Sequence, residues 1–349
     1  HTPKTKAPCD PIMSTPNTRQ ILLTSRPQGL LKESDIARTE TTLDHIDEGQ
    51  IIIKNRYLSL DPAISVWMSD MDNNYLPPIP LGHPVWCTVI GEIVKSRSTK
   101  YAVGGTVWGM GNWSDYSIAP EDYVFPADMT LGLPINNHLS VLGAVGMTGY
   151  YGILDVGKPV AGETVLISAA AGAVGSIAGQ IAKISGCHVV GLAGTQAKCD
   201  WITKDLGFDG AINYRKTDNM AQAIANVCPN GVDIYFDNVG GEILSATLKN
   251  LAKNARILFC GWMSTYNNDE SLPGPHNMWQ ILAKTARLEG FLISDYFGDF
   301  ENGVPTMANW VKEGKIKFKE DIVEGLENTP EAFLKLFNGT NDGKLMVKV

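Results

Sequence analysis

The pattern of apolar and polar positions changes character partway along the chain. Up to about residue 140 it consists of short β-type runs broken by turn residues. Gln50-Ile51-Ile52-Ile53-Lys54-Asn55 and the stretch 85–95 read as strands, with Gly104-Gly105 and Gly109-Met110-Gly111 as hairpin turns. Few helical periods occur before residue 135, so this portion predicts a compact β-barrel or sandwich. Beyond residue 140, strand patterns at 163–169, 188–193, 211–214, 232–236, 256–261 and 287–293 alternate with helical patterns at 175–185, 198–206, 219–227, 243–251 and 278–284. The strands are near-continuous apolar runs such as Val165-Leu166-Ile167, as a sheet covered on both faces requires. Repeated βα units of this length predict an α/β, doubly wound parallel sheet. The last 40 or so residues return to a mixed texture, with 343–349 as a closing strand. The expected organisation is a β-rich domain over 13–140, completed by 311–349, with a nucleotide-binding domain over 141–310 inserted between.

Bulk properties narrow the partners. A chain of 349 residues exceeds one ordinary core, in keeping with two domains. Its net charge of −8 argues against nucleic acid and anionic membrane, both of which reward a basic face. No apolar run reaches the ~18 residues that would span a bilayer, and no signal-peptide pattern is visible. The cysteines (Cys9, Cys87, Cys187, Cys199, Cys228 and Cys260) form no CxxC pair, which suits free thiols in a reducing, cytoplasmic setting and offers no structural zinc lobe. Met13-Ser14-Thr15 reads like a natural start, so residues 1–12 are left out of the expected fold.

The chemistry begins at Ala170-Ala171-Gly172-Ala173-Val174-Gly175. This AxGxxG variant follows a predicted strand and opens a predicted helix, the context in which such a turn binds a dinucleotide on a Rossmann sheet. Gly172 lets the backbone approach a pyrophosphate, Gly175 lets the helix pack on the strand, and the N–H groups from Ala173 and Val174 onward face the anion. An NAD site places an acid at the end of the second strand; here Gly194-Thr195-Gln196-Ala197-Lys198 carries none before Asp200. Thr195, Lys198 and Tyr214 suit a 2′-phosphate instead, which favours NADP, although Lys198 alone also reads as a solvated helix residue.

A catalytic zinc needs three protein ligands and an open position. Gly82-His83 is followed by Pro84 rather than an acid, and Tyr57-Leu58-Ser59-Leu60-Asp61-Pro62 carries no cysteine. His83 therefore reads as a turn or surface histidine. Without a Lewis acid, alcohol oxidation loses its usual activation, whereas hydride addition to a conjugated double bond needs none.

Several long segments together resemble the zinc-independent medium-chain reductases that include leukotriene B4 dehydrogenase/prostaglandin reductase, plant 2-alkenal double-bond reductases and bacterial curcumin reductase. They are Tyr57 to Pro62, Gly146-Met147-Thr148-Gly149-Tyr150-Tyr151-Gly152, Ala169 to Gly175, Tyr235-Phe236-Asp237-Asn238-Val239-Gly240-Gly241, Cys260-Gly261 with Ser264-Thr265-Tyr266-Asn267, and Asn341-Asp342-Gly343-Lys344. The resemblance runs from about Arg19 to Val349. It implies a GroES-like β-rich catalytic domain beside the Rossmann domain, a homodimer, and NADPH-dependent reduction of enals or enones. It further implies that Thr148, Asn238, Cys260 and Asn341 border the cofactor, that Lys198 and Tyr214 hold its 2′-phosphate, and that Tyr266 assists catalysis or packs on the cofactor. Tyr57, Phe291 and Ile293 are expected at the substrate pocket, with Ala63 and Trp67 from the segment where this chain departs from the group. Many members read Asp-Pro-Tyr-Met-Arg-Gly there; this one reads Asp61-Pro62-Ala63-Ile64-Ser65-Val66-Trp67-Met68. Gly82-His83-Pro84-Val85-Trp86-Cys87 also stands where members have a Gly-Glu-Val-Met-like stretch. A quinone or enoyl-thioester reductase, or an inert NADPH-binding regulatory protein, remain alternatives at this point.

Overall fold

A computed structural model describes residues 16–71, 74–267 and 274–349; Cys9 and the Met13-Ser14-Thr15 start lie outside that range. The chain opens with an antiparallel pair, β1 (Asn17–Leu23) and β2 (Ile36–Thr42). Strand β3 (Gln50–Ser59) follows, then a short helix α1 (Ala63–Met68) and strands β4 (Trp86–Ser96), β5 (Thr106–Asn112), β6 (Tyr116–Pro120) and β7 (Val124–Pro126). The second unit starts with helix α2 (Ala144–Tyr151) and a π-helical turn (Gly152–Gly157). After it come β8 (Thr164–Ile167), α3 (Ala173–Ile184), β9 (His188–Ala193), α4 (Gln196–Lys204), β10 (Gly210–Asn213), α5 (Met220–Val227), β11 (Val232–Asp237), α6 (Gly241–Leu248), β12 (Leu251–Phe259), α7 (Trp279–Ala283) and β13 (Arg287–Gly290). Helix α8 (Phe300–Lys312) leads back to β14 (Glu320–Glu324), α9 (Thr329–Asn338) and β15 (Lys344–Lys348).

The sheets show the expected α/β class. A six-stranded parallel sheet runs β10-β9-β8-β11-β12-β13, so the strand order reverses between β8 and β11, where a Rossmann sheet opens its binding crevice. Its central strands are apolar throughout because helices cover both faces: Val165, Leu166, Ile167, Ile234, Tyr235 and Phe236 are fully buried. The β-rich sheet runs β14-β15-β3-β4-β5-β7, with β6 also on β3. Thus β15, nearly three hundred residues downstream, pairs antiparallel with β3.

Two sequence expectations need correction, and one further element had no sequence expectation. Gly109-Met110-Gly111 is not a turn but lies within β5. A Cβ on Gly109 would stand 2.3 Å from the Tyr123 carbonyl oxygen, and one on Gly111 2.5 Å from Val89, so these glycines let neighbouring strands approach. The segment after Pro62, with too few residues to show a period, folds as α1. Strand β12 begins at Leu251, five residues before the expected 256, because a bulge between Val232 and Ile234 shifts its register with β11.

Two polar ties fasten the returning C-terminal segment to the earlier part of the β-rich unit. Glu320, at the start of β14, accepts from Asn137 Nδ2 at 2.9 Å and also from Asn136 and Ser140, just ahead of α2. Lys344, at the start of β15 and 2 % exposed, donates to the Leu60 carbonyl (2.9 Å) and to Asp61 Oδ1 (2.6 Å).

Candidate active site

The turn between β8 and α3 is built to receive an anion. Ala169 sits at φ 49°, in the left-handed region, and Gly172 N–H donates to its carbonyl at 2.9 Å. The Ala170 N–H is held by Leu192 O of β9 at 3.0 Å. Gly172 is the N-cap of α3 and supplies no side-chain acceptor, so the first-turn N–H groups of Ala173, Val174 and Gly175 are left uncapped. They add to the positive end of a twelve-residue helix. A small cavity against this turn is lined by Ser140, Ala173, Ser176, Lys319 and Lys344 together with apolar Val141, Val145, Ile177 and Phe318. Bare backbone donors at the positive end of a helix fit a pyrophosphate. Helix α2 lies hard against α3, since a Cβ on Gly149 would reach within 3.3 Å of Val174 O. That contact sets Thr148 beside the turn, its hydroxyl bonded to Ala144 O at 2.7 Å.

At the end of β9, Thr195 caps α4, its Oγ1 accepting from Lys198 N–H at 3.2 Å. Lys198 Nζ donates to Gly339 O at 2.9 Å, and Tyr214 stands at the end of β10, with its hydroxyl against Gly194. The three residues expected at a 2′-phosphate therefore share one corner, without a carboxylate from the strand end.

At the end of β11, Asp237 is fully buried and its Oδ1 accepts from Tyr235 Oη (2.8 Å), Gly240 N–H (2.8 Å) and Val239 N–H (3.0 Å). Burial raises its pKa and those donors pull it back. This network fixes Asn238, whose N–H and Nδ2 donate to Ser168 Oγ and Ser168 O, both at 2.8 Å. Cys260 follows β12 directly. Burial, helped by Asp237, pushes its thiol up to about 12, which makes it a neutral, unreactive wall.

Tyr266 lies in the turn after Cys260. Its Oη accepts the Trp262 N–H at 3.1 Å, and no acceptor for its own proton lies within hydrogen-bond distance among the described residues. Burial pushes the phenol up to about 12, against a lowering by the Trp262 N–H, so it stays protonated throughout the neutral range. The facing wall comes from the β-rich unit. Ala63 and Trp67 lie on α1, and Trp67 Nε1 donates to Tyr75 Oη at 2.9 Å. Tyr75 is close enough to Tyr266 to raise its pKa, and Cys260 is close enough to Tyr75 to raise that of Tyr75. No motif marked it, because its relation to Trp67 and Cys260 exists only in the folded chain.

The remaining expected residues distribute around this centre. Asn341 follows α9 and bonds Gly343 O at 3.0 Å. Phe291 packs edge-on to Phe236, with ring centroids 6.1 Å apart, and against Gly152. Tyr57, Phe291 and Ile293 border one apolar cluster, while Trp67 packs on the β-rich core. Among the described residues no three His, Cys, Asp or Glu side chains converge as metal ligands; His83 is exposed and Cys87 is buried.

A switch-point crevice, an uncapped helix N-terminus and a β-rich wall facing them define a two-domain, dinucleotide-dependent oxidoreductase. Comparison with known proteins gives the same class: residues 19–127 match the N-terminal domain of oxidoreductase, and residues 173–309 match a family described as zinc-binding dehydrogenase. The chain is 37% identical over 336 residues to a Nicotiana tabacum 2-alkenal reductase (NADP(+)-dependent), covering 95% of this chain and 98% of that one. It is 39% identical over 342 residues to an NADPH-dependent curcumin reductase of Escherichia coli, covering 95% and 96%. The crystal structure of CurA from Vibrio vulnificus in complex with NADPH superposes with a TM-score of 0.87 at 36% identity, covering 95% of this chain and 99% of that one. The chain belongs to the zinc-independent medium-chain dehydrogenase/reductases, in the group of the alkenal, curcumin and prostaglandin reductases.

Proposed function

We propose that this protein uses NADPH to reduce the carbon–carbon double bond of α,β-unsaturated aldehydes or ketones. The observation that carries the reading is the Tyr266 hydroxyl: protonated, without an acceptor among the described residues, and placed beside the strand ends that border a nicotinamide site. The 2-alkenal and curcumin reductases named above support it.

Ala173, Val174 and Gly175 would bind the pyrophosphate through backbone N–H groups, with Gly172 leaving the backbone bare for its approach. Thr195, Lys198 and Tyr214 would hold the 2′-phosphate, and Thr148, Asn238, Cys260 and Asn341 would border the rest of the cofactor. NADPH, when bound, supplies the hydride, which goes to the β-carbon of the substrate. The pair displaced from the double bond collects on the carbonyl oxygen. Tyr266 Oη donates a hydrogen bond to that oxygen, and accepting the Trp262 N–H makes the phenol a better donor. The α-carbon takes its proton from solvent or from Tyr266. Tyr57, Ala63, Trp67, Phe291 and Ile293 shape the pocket and hold the reacting carbon near the ~3–3.5 Å that transfer requires. Mixing the protein with NADPH and a panel of enals, enones and quinones should show nucleotide oxidation with the enals and enones. Oxidation only by quinones, or NADPH binding without oxidation across the panel, would overturn the reading.

The same reading includes a homodimer and a cytoplasmic location. β13 is an edge strand whose residues are all exposed, and α7 beside it presents Trp279 and Leu282, 69% and 66% exposed. An unpaired edge next to an apolar patch suits a second copy of this chain. Leu282→Glu combined with Trp279→Glu should convert a dimer into a monomer in light scattering; a monomeric parent would remove the proposal. The free thiols of Cys87, Cys187, Cys199 and Cys228, all buried, support a reducing compartment. No helix among the described residues is long and apolar enough to cross a membrane.

A further inference from the structure

We infer that Arg215, rather than Lys198 and Tyr214 alone, decides the preference for NADP over NAD, as the guanidinium half of a two-cation phosphate seat built against the C-terminal end of α9. The inference rests on the NADPH reading above.

Arg215 sits in a 3-10 turn (Tyr214–Lys216) whose first N–H groups are organised by Asn213, the Asn213 side chain accepting from Arg215 N–H at 3.2 Å. This turn leaves β10 beside the carboxyl end of β9, the position at which a Rossmann sheet reads the ribose 2′ substituent. A Cβ on Gly194, one residue beyond β9, would stand 2.8 Å from Tyr214 Oη and 3.4 Å from Arg215 Nε. The phenol and the guanidinium therefore form one wall over a position that carries no side chain. The opposite wall is the end of α9. Lys198 Nζ donates to Gly339 O at 2.9 Å, and Arg215 Nη2 reaches Asn338 O at 3.4 Å and stands 3.2 Å from where a Gly339 Cβ would be. Gly339 adopts φ 76° as the helix terminus, so both cations converge on the negative end of a ten-residue helix.

What the two cations lack is an acid. Among the described residues neither forms an ion pair with a carboxylate. Asp342 is the one acid that bears on Lys198, and its two oxygens are engaged by Lys319 at 3.0 and 3.2 Å. Burial and the charges of Arg215 and Lys319 all oppose protonation of Lys198, which marks the corner as electropositive in a chain of net charge −8. Neutral carbonyls hold the cations in place but compete weakly. A phosphate dianion forms charge-assisted bonds about twice as strong, and the guanidinium fork can grip it with two parallel N–H groups. Arg215 is exposed, and among the described residues only one of its side-chain donors is engaged, over a long 3.4 Å contact, so its removal leaves folding intact.

The test is calorimetric binding of NADP+ and NAD+ to the parent, Arg215→Ala and Arg215→Lys, with thermal melting as a folding control. Arg215→Ala should weaken NADP+ by about 10- to 100-fold, the range for a hydrogen bond to a charged group, and leave NAD+ within twofold. Arg215→Lys should recover part of the loss, and the salt dependence of NADP+ affinity should be shallower in Arg215→Ala than in the parent. A loss below threefold, or an equal loss for both nucleotides, would overturn the inference. A parent that binds NAD+ as well as NADP+ would instead overturn the NADPH reading beneath it.

Discussion

Replacing Gly175 by alanine should weaken NADPH binding by at least about 100-fold. The added Cβ would stand 2.5 Å from Ala169 O, 2.9 Å from Ala170 Cα and 3.0 Å from Ala169 C, all backbone atoms. None can move aside cheaply. Ala169 is already in the left-handed region, its carbonyl is bound by Gly172 N–H, and the Ala170 N–H is tied to β9. The helix must retreat from the strand instead, carrying the N–H groups of Ala173, Val174 and Gly175 off the anion position. Losing two hydrogen bonds to a charged group, at about 1.5–3 kcal/mol each, gives the stated loss. Overpacking of about 1–3 kcal/mol should also lower Tm by several degrees without unfolding the protein. Calorimetric titration with NADPH beside a melting curve separates the two effects; retained affinity would show that the turn does not hold the pyrophosphate.

Tyr266→Phe carries the second large effect, on turnover rather than binding. Removing one donor aimed at a developing oxyanion costs about 100- to 1000-fold in kcat. NADPH affinity should remain within twofold, because the phenyl ring is kept and only the hydroxyl is lost. Since the phenol titrates only at about 12, activity should show no Tyr266-linked fall below about pH 10. Unchanged kcat, or equal losses in kcat and NADPH affinity, would reduce Tyr266 to a packing residue. The Trp262 N–H loses its acceptor in this variant, so a small drop in Tm is expected as well.

Much of the fold could be read from the chain because the parallel sheet writes itself in local chemistry. A buried strand needs an unbroken apolar run, and Val165-Leu166-Ile167 or Tyr235-Phe236 can hardly be anything else. The phosphate turn was legible for a similar reason: strand, small residues and helix are contiguous. What escaped was decided by contacts between distant segments. Gly109 and Gly111 look like turn residues, yet their lack of a side chain serves the crossing of β4, β6 and β7. Helix α1 is too short to show a period. Tyr75 reaches Trp67 and the Tyr266 side of the cleft only in the folded chain, and Arg215 gains meaning only when the end of α9 arrives across more than a hundred residues.

The tie between Lys344 and Asp61 also bears on the order of assembly during synthesis. The nucleotide-binding sheet has all its strands once β13 has left the ribosome. The sheet around β3 must wait for β15, and with it for the buried ammonium that holds Leu60 and Asp61 in place. A nascent chain would thus own a finished parallel sheet while the α9 wall of its 2′-phosphate corner and a strand beside its substrate wall were both still missing. A chain halted before β15 would leave the edge of β3 bare and a hydrophobic flank open, the sort of intermediate that chaperones recognise.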